Sequence, residues 1–262
     1  MGDRRLTRVA LVTGAARGIG AATARRLGAE GWVVVAIDRG RDDPRLPYPM
    51  GTRAELESLA ADGISVVQAD VTDAVALEGV VADVREGHGG LDAAVAAAGV
   101  IAGGVPLWEM PAEQLDAVLA VNLHGVIATA RATIPAMLAH PAPRRGRFIA
   151  VSSTAASRGL PLLSAYCGSK AGVSGLVRGL AADLRGTGVT ANAVSPGSTR
   201  TPILDESASL YGLPSAEAFA AQQPVERLLD PDEVAAMIAW LAGPAGGAVT
   251  GADIPVDGGL AV

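Results

Sequence analysis

The chain has 262 residues, of which 50% are hydrophobic and 18% charged, a composition that supports a large folded core and excludes a disordered chain. Its 21 Lys and Arg against 27 Asp and Glu give a formal charge of −6 with no basic run, which excludes nucleic acid as a partner. Cys167 is the only cysteine, so neither an intramolecular disulfide nor a cysteine-built metal site can form.

No apolar run reaches the ~18 residues of a membrane span, so no membrane partner is expected. Residues 1–8 are short and polar with no apolar stretch behind them, so no secretory signal is expected and the cytoplasm is the expected location. Residues 9–12 predict a first strand and 18–30 a helix with Ile19, Ala22 and Leu27 on one side. Residues 32–37 read as a second strand, apolar on both faces, as in a parallel sheet covered on both sides. Residues 39–53 carry Pro44, Pro47 and Pro49 and read as an inserted loop. Further strands are predicted at 64–68, 91–97, 147–151, 189–194 and 254–256, with the longest helical patterns at 112–138 and 165–185. Residues 202–224 lack a strand pattern and predict one or two short helices over a loop, a possible substrate lid. The alternation predicts an α/β chain: a single doubly wound, parallel-sheet, Rossmann-type domain spanning residues 1–262.

Between the first strand and helix stands Thr13-Gly14-Ala15-Ala16-Arg17-Gly18-Ile19-Gly20. Glycines there let a pyrophosphate approach backbone N–H groups at a helix N-terminus. Asp38 follows the second strand, 18 residues after Gly20. Its carboxylate can accept both ribose hydroxyls and would repel a 2′-phosphate; Arg17 and Arg39 pull the other way. The balance favours NAD over NADP. Asp70-Val71, after the third strand, could bracket the adenine, or Asp70 could be a helix N-cap.

Tyr166 and Lys170 are four apart in a helical stretch, hence on one face. A neighbouring ammonium would stabilise the phenolate and fit Tyr166 for acid/base work. Ser153 stands 13 residues upstream, where its hydroxyl could hold a substrate oxygen.

Gly14, Gly18, Gly20, Asp38, Asn122, Ser153, Tyr166, Lys170 and Pro196-Gly197, in this order and at these separations, resemble a short-chain dehydrogenase/reductase, as far as Asp257-Gly258-Gly259. The resemblance implies that Asn122 kinks a helix and helps hold a water linking the lysine to solvent. It implies that Ser153 orients the substrate, that Tyr166 is the acid/base and that Lys170 also binds the nicotinamide ribose. It places Pro196, Gly197 and Thr201 at the carboxamide. Hydride would pass between nicotinamide and substrate carbon, with no metal, and two or four subunits would assemble through the helices near 112–138 and 165–185, a homotetramer being expected. Where the family shows Asn-Asn-Ala-Gly, this chain has Ala96-Ala97-Ala98-Gly99. Gly99 keeps the backbone approach to the cofactor, while the missing asparagine is expected to loosen the fixing of that strand.

The insertion, with Leu46-Pro47-Tyr48-Pro49, and the stretches 94–104 and 191–202 resemble more narrowly the subgroup associated with mycofactocin, a peptide-derived redox cofactor. That likeness implies tightly held NAD, a redox carrier such as mycofactocin as partner, and Tyr48 packed over the adenosine side. The apolar residues Leu204, Leu210, Tyr211 and Leu213 point to a small hydrophobic alcohol or ketone as substrate, not a sugar or charged acid. A second reading is an NADP-linked carbonyl or 3-oxoacyl reductase, which Asp38 opposes. A third is a non-catalytic nucleotide sensor, which the joint presence of Tyr166 and Lys170 opposes. Cys167 reads as a small buried residue, Trp108 as core or interface packing, and His88, His124 and His140 as surface or helix-end residues.

Overall fold

Strands apolar on both faces can be buried only between two layers, and that is how they run here. The computed structural model describes residues 7–262; residues 1–6, which hold most of the segment read as lacking a secretory signal, lie outside the described residues. Strands β1 (Val9–Thr13), β2 (Val33–Asp38), β3 (Ser65–Gln68), β4 (Ala93–Ala96), β5 (Arg147–Val151), β6 (Thr190–Pro196) and β7 (Asp253–Val256) form one sheet in the order β3-β2-β1-β4-β5-β6-β7. Every pair is parallel. All seven match predicted strands, with ends shifted by at most two residues.

Alternation along the strands divides the core. Leu11, Ile37, Ala94 and Phe148 face one layer, while Val12, Ala36, Val95 and Ile149 face the other. Helices α1 (Gly18–Ala29) and α8 (Pro231–Ala242) cover the second face; α3 (Ala74–His88), α4 (Ala112–Leu119), α5 (Gly125–Leu138) and α6 (Ser164–Asp183) cover the first. The chain reverses its winding at β1, which neighbours both β2 and β4, and in such sheets the ligand crevice opens beyond the strand C-termini at that point.

Between α4 and α5 the backbone takes one π-helical turn, Ala120–His124. The continuous stretch Ala112–Leu138 is, by length and composition, apolar enough to cross a membrane, contrary to the sequence reading; 56% of its apolar window is buried inside the protein. The insertion holds no regular element before α2 (Arg53–Ser58), yet Leu46 and Tyr48 within it are buried. The segment 202–224 is helical twice, as α7 (Pro202–Leu210) and a 3₁₀ stretch, Ala216–Gln222. Trp108 is 85% exposed, which removes the core-packing reading. Cys167 is only half-buried.

Candidate active site

The first strand ends at a turn that only small residues can make. Gly14 has φ +66°, and a Cβ there would stand 2.5 Å from the Ala98 Cα; one on Gly20 would stand 2.1 Å from the Gly14 carbonyl oxygen. Helix α1 then begins at Arg17 with no side-chain cap and no acidic residue in its first turn. Its leading N–H groups therefore remain available to an anion, with the helix dipole in favour.

The Asp38 carboxylate, at the end of β2, accepts the N–H groups of Ala16 (3.1 Å) and Gly40 (3.0 Å). Both arginines that could have met a 2′-phosphate are engaged. Arg39 Nη1 lies 3.0 Å from Asp43 and 3.5 Å from Asp70, and Arg17 Nη2 donates to the Pro49 carbonyl at 2.7 Å. Asp70 also accepts the N–H and hydroxyl of Thr72. It is not the N-cap of α3; Asp73 is, accepting the Ala76 N–H at 3.0 Å.

The insertion forms a strap over this end of the crevice. Asp43, 2% exposed, is its hub: it takes bonds from the Arg45 side chain at 2.9 and 2.7 Å as well as from Arg39. These guanidinium contacts, Arg45 first, hold its carboxyl far below the usual carboxylate range despite burial. From that hub the strap reaches Gly51, where a Cβ would press on Ala16 at 2.8 Å. Tyr48 crosses to the far lip, where its phenol oxygen accepts the Ile101 N–H at 2.9 Å.

The strand after the missing asparagine is fastened after all. The Thr13 hydroxyl oxygen accepts the N–H groups of Ala97 (3.2 Å) and Ala98 (3.4 Å), so β1 anchors the end of β4. Asn122, fully buried in the π-turn, clamps the next peptide. Its Oδ1 accepts the Val100 N–H at 2.8 Å, and its Nδ2 donates to the Val100 carbonyl at 2.9 Å and the Ser169 hydroxyl at 3.2 Å. Asn122 does not itself line the crevice. It stands behind Gly99, whose absent Cβ would be 3.6 Å from both Asn122 Oδ1 and Lys170 Nζ.

Ser153 caps a 3₁₀ turn, Thr154–Ala156, after β5, accepting the Ala155 N–H at 3.1 Å. Tyr166 and Lys170 come from the first turns of α6, as their spacing predicts, with Lys170 Nζ 5.8 Å from the Tyr166 ring centroid. Lys170 Nζ donates to the Val151 carbonyl at 2.9 Å. The expected lowering of the phenol by the ammonium is not what dominates. Burial pushes Tyr166 up to about 12, opposed by a hydrogen bond with Ser153, and burial pushes Lys170 down to about 8. Behind them lies a network the sequence reading missed. Ser152 bonds the Lys170 carbonyl (3.1 Å) and Ser174 (3.0 Å), and Ser174 and Ser195 each donate to Asp253 at 2.5 Å. Helix α6 is thereby pinned to β5, β6 and β7.

One cleft of about 700 Å³ runs past these elements, and its lining includes Gly14, Arg17, Gly18, Ile19, Gly20, Asp38, Asp70, Val71 and Gly99, then Ser153, Tyr166, Lys170, Pro196, Gly197 and Thr201. Beyond Tyr166 the wall is mostly apolar, with Arg158, Ser207 and Gln222 as its polar members, and α7 is docked over it by the Tyr211 hydroxyl, which donates to the Pro161 carbonyl at 2.6 Å, and by an edge-on Tyr211–Phe219 contact. A glycine cradle, an uncapped helix start and a distant carboxylate suit a dinucleotide; a hydroxyl, a phenol and an ammonium gathered beside a mostly apolar pocket suit an alcohol or ketone.

A family model described as enoyl-(acyl carrier protein) reductase matches residues 14–261. An uncharacterized NAD-dependent oxidoreductase of Mycobacterium tuberculosis is 36% identical, across 96% of this chain and 95% of its own length. The chain belongs to the short-chain dehydrogenase/reductase family. Another relative of this dehydrogenase/reductase, the cis-4-hydroxycyclohexanecarboxylate dehydrogenase of Sinomonas cyclohexanicum, is 37% identical over 99% of this chain and 98% of its own. Carveol dehydrogenase from Mycobacterium avium, solved in complex with NAD, matches the dehydrogenase/reductase with a TM-score of 0.91 at 31% identity, over 98% of this chain and 99% of that one.

Proposed function

We propose that this oxidoreductase interconverts a secondary alcohol and its ketone, the reacting carbon being carried on a compact, largely apolar skeleton, with NAD as hydride carrier. The observation that carries the reading is the Ser153–Tyr166–Lys170 cluster at the junction of the glycine-cradled half of the cleft and its apolar half. Gly14, Gly18, Ile19 and Gly20 hold the pyrophosphate, Asp38 the adenosine ribose, Asp70 and Val71 the adenine, and Gly99, Pro196, Gly197 and Thr201 the nicotinamide side. When bound, NAD supplies hydride chemistry at the substrate carbon.

The chain's own residues supply the proton path. Ser153 donates to the substrate oxygen and holds it beside the phenol. Tyr166 gives its proton to that oxygen in reduction and receives one in oxidation. Lys170, kept in place by the Val151 carbonyl, presents its positive charge to the phenolate and its remaining donors to the ribose. Asn122 acts through Val100 and Ser169, as a positioning residue. Replacing Tyr166 by Phe should lower turnover about 10³-fold, within the range of a lost general acid/base, and leave nucleotide affinity within a factor of about two. Undiminished turnover removes Tyr166 from the role.

The proposal extends to nucleotide that does not exchange, to a carrier such as mycofactocin that reoxidises it in place, and to a homotetramer. The strap supports the first two: its Pro49 carbonyl bonds Arg17 on one lip of the cleft and its Tyr48 phenol bonds Ile101 on the other. The absorbance of protein purified without added cofactor, and turnover of an alcohol panel with NAD against an artificial acceptor, test retention. Native mass tests assembly.

A further inference from the structure

The charged side chains edging the cleft are distributed unevenly. Arg17, Asp38, Arg39, Arg41, Asp43 and Asp70 belong to the strap and cradle half. In the apolar half, apart from Lys170, there is one: Arg158. The apolar make-up of residues 202–224 alone speaks against charged acids as substrates; Arg158, five residues beyond Ser153, lies outside that segment and adds a cation to the same cleft.

Arg158 is exposed and forms no ion pair among the described residues. It is nevertheless held in place. Its N–H donates to the Thr154 carbonyl at 2.9 Å, so it grows from the same turn that Ser153 caps. Its Nη1 donates to the Leu260 carbonyl at 2.6 Å, and Leu260 is fixed by its own N–H on the Asp257 carbonyl at 3.0 Å. That bond orients the fork, and among the described residues the other guanidinium donors have no partner. A preset, planar fork beside low-dielectric walls is suited to a carboxylate.

We propose that Arg158 is the counter-ion for a carboxylate on the substrate, making the substrates hydroxy acids and oxo acids in which an apolar ring or chain separates the two functions. One rigid turn then carries both the hydroxyl that holds the reacting oxygen and the cation that holds the far end. The spacing between them selects substrates by span, while Leu163, Ile203, Tyr211 and Phe219 enclose the skeleton. The chemistry at the alcohol end rests on the dehydrogenase reading above; the anion site does not.

Two measurements separate them. Calorimetric titration of the NAD-loaded protein with cyclohexanecarboxylate and with its uncharged amide should show the acid binding about tenfold tighter, the size of a charge-assisted contact. Arg158→Gln should erase that difference and Arg158→Lys should keep part of it. Equal binding of acid and amide, or a preference that survives Arg158→Gln, overturns the assignment. In turnover, 4-hydroxycyclohexanecarboxylate should exceed its amide in kcat/KM by a similar factor, and the ratio should fall toward 1 in Arg158→Gln. Charge-dependent binding with no oxidation of either compound keeps the anion site and overturns the alcohol dehydrogenase reading alone.

Discussion

Tyr48 and Ile101 stand on opposite lips of the nucleotide cleft and are joined by one hydrogen bond of 2.9 Å, phenol oxygen to backbone N–H. Tyr48 is 8% exposed and Ile101 2%, so the contact is shielded from water. Tyr48→Phe leaves the packing but strands a buried N–H, a cost of about 1–3 kcal/mol. If the strap retains nucleotide, that loss should appear in the off-rate: release of NAD, followed by stopped-flow, should quicken about tenfold or more. Unchanged release means that the strap's closure lies elsewhere.

Thr13 ties the residues after β4 to the end of β1. Thr13→Val keeps the shape and removes the acceptor of Ala97 and Ala98. Urea unfolding should show a loss of about 1–2 kcal/mol, and Thr13→Ser should recover most of it. A loss equal for both variants would assign the effect to packing.

Asp38 should decide the choice of nucleotide. Its charge opposes a 2′-phosphate, and Arg39 is already held by Asp43 and Asp70. Asp38→Asn removes the repulsion and leaves Arg41, which also edges the cleft and has no ion pair among the described residues, to meet the phosphate. In protein stripped of nucleotide, the ratio of the affinities for NADP and NAD should rise about tenfold or more, since tenfold is only ~1.4 kcal/mol. The ratio staying put would move discrimination to other residues.

Burial of Lys170 makes stability pH-dependent in a definite direction. Its pKa falls from 10.5 to about 8 on folding, so between those values the unfolded chain binds more protons than the folded one. Stability therefore rises with pH across that window, and the cost of burying the charge is fully present below about 8. From pH 8 to pH 10 the gain from this one group is on the order of 2 kcal/mol. The Tyr166 phenol, raised to about 12, acts oppositely and only above pH 10. Protein stripped of nucleotide should gain stability over that interval, and Lys170→Met should flatten the gain.

The fold could be read from the chain because each core strand is apolar at consecutive positions, as in 32–37, and few other structures bury such a run. The cradle and the Tyr166–Lys170 pair were legible for a similar reason: their spacing within one turn or one loop fixes their relation. What escaped depends on residues far apart in sequence. Thr13 meets Ala97 across 84 positions. Asp43 becomes a hub only once a loop without regular structure has folded around it. The direction of the Tyr166 shift depends on burial, which many distant segments impose together, and proximity to Lys170 alone suggests the opposite sign. Arg158 was hidden because a lone arginine has no pattern; only the cleft shows where it lies.

The π-turn at Ala120–His124 has a consequence for tolerance to length changes. A π-turn takes up one extra residue without turning the rest of the helix, so removing that residue would restore ordinary winding and leave the downstream faces where they are. Val126, Ala130, Ile134 and Met137 would stay buried, whereas Asn122 would lose the wide turn from which it clamps Val100. A single-residue deletion here should therefore spare the fold and cost turnover, the irregularity serving Asn122 and not the packing of the helix.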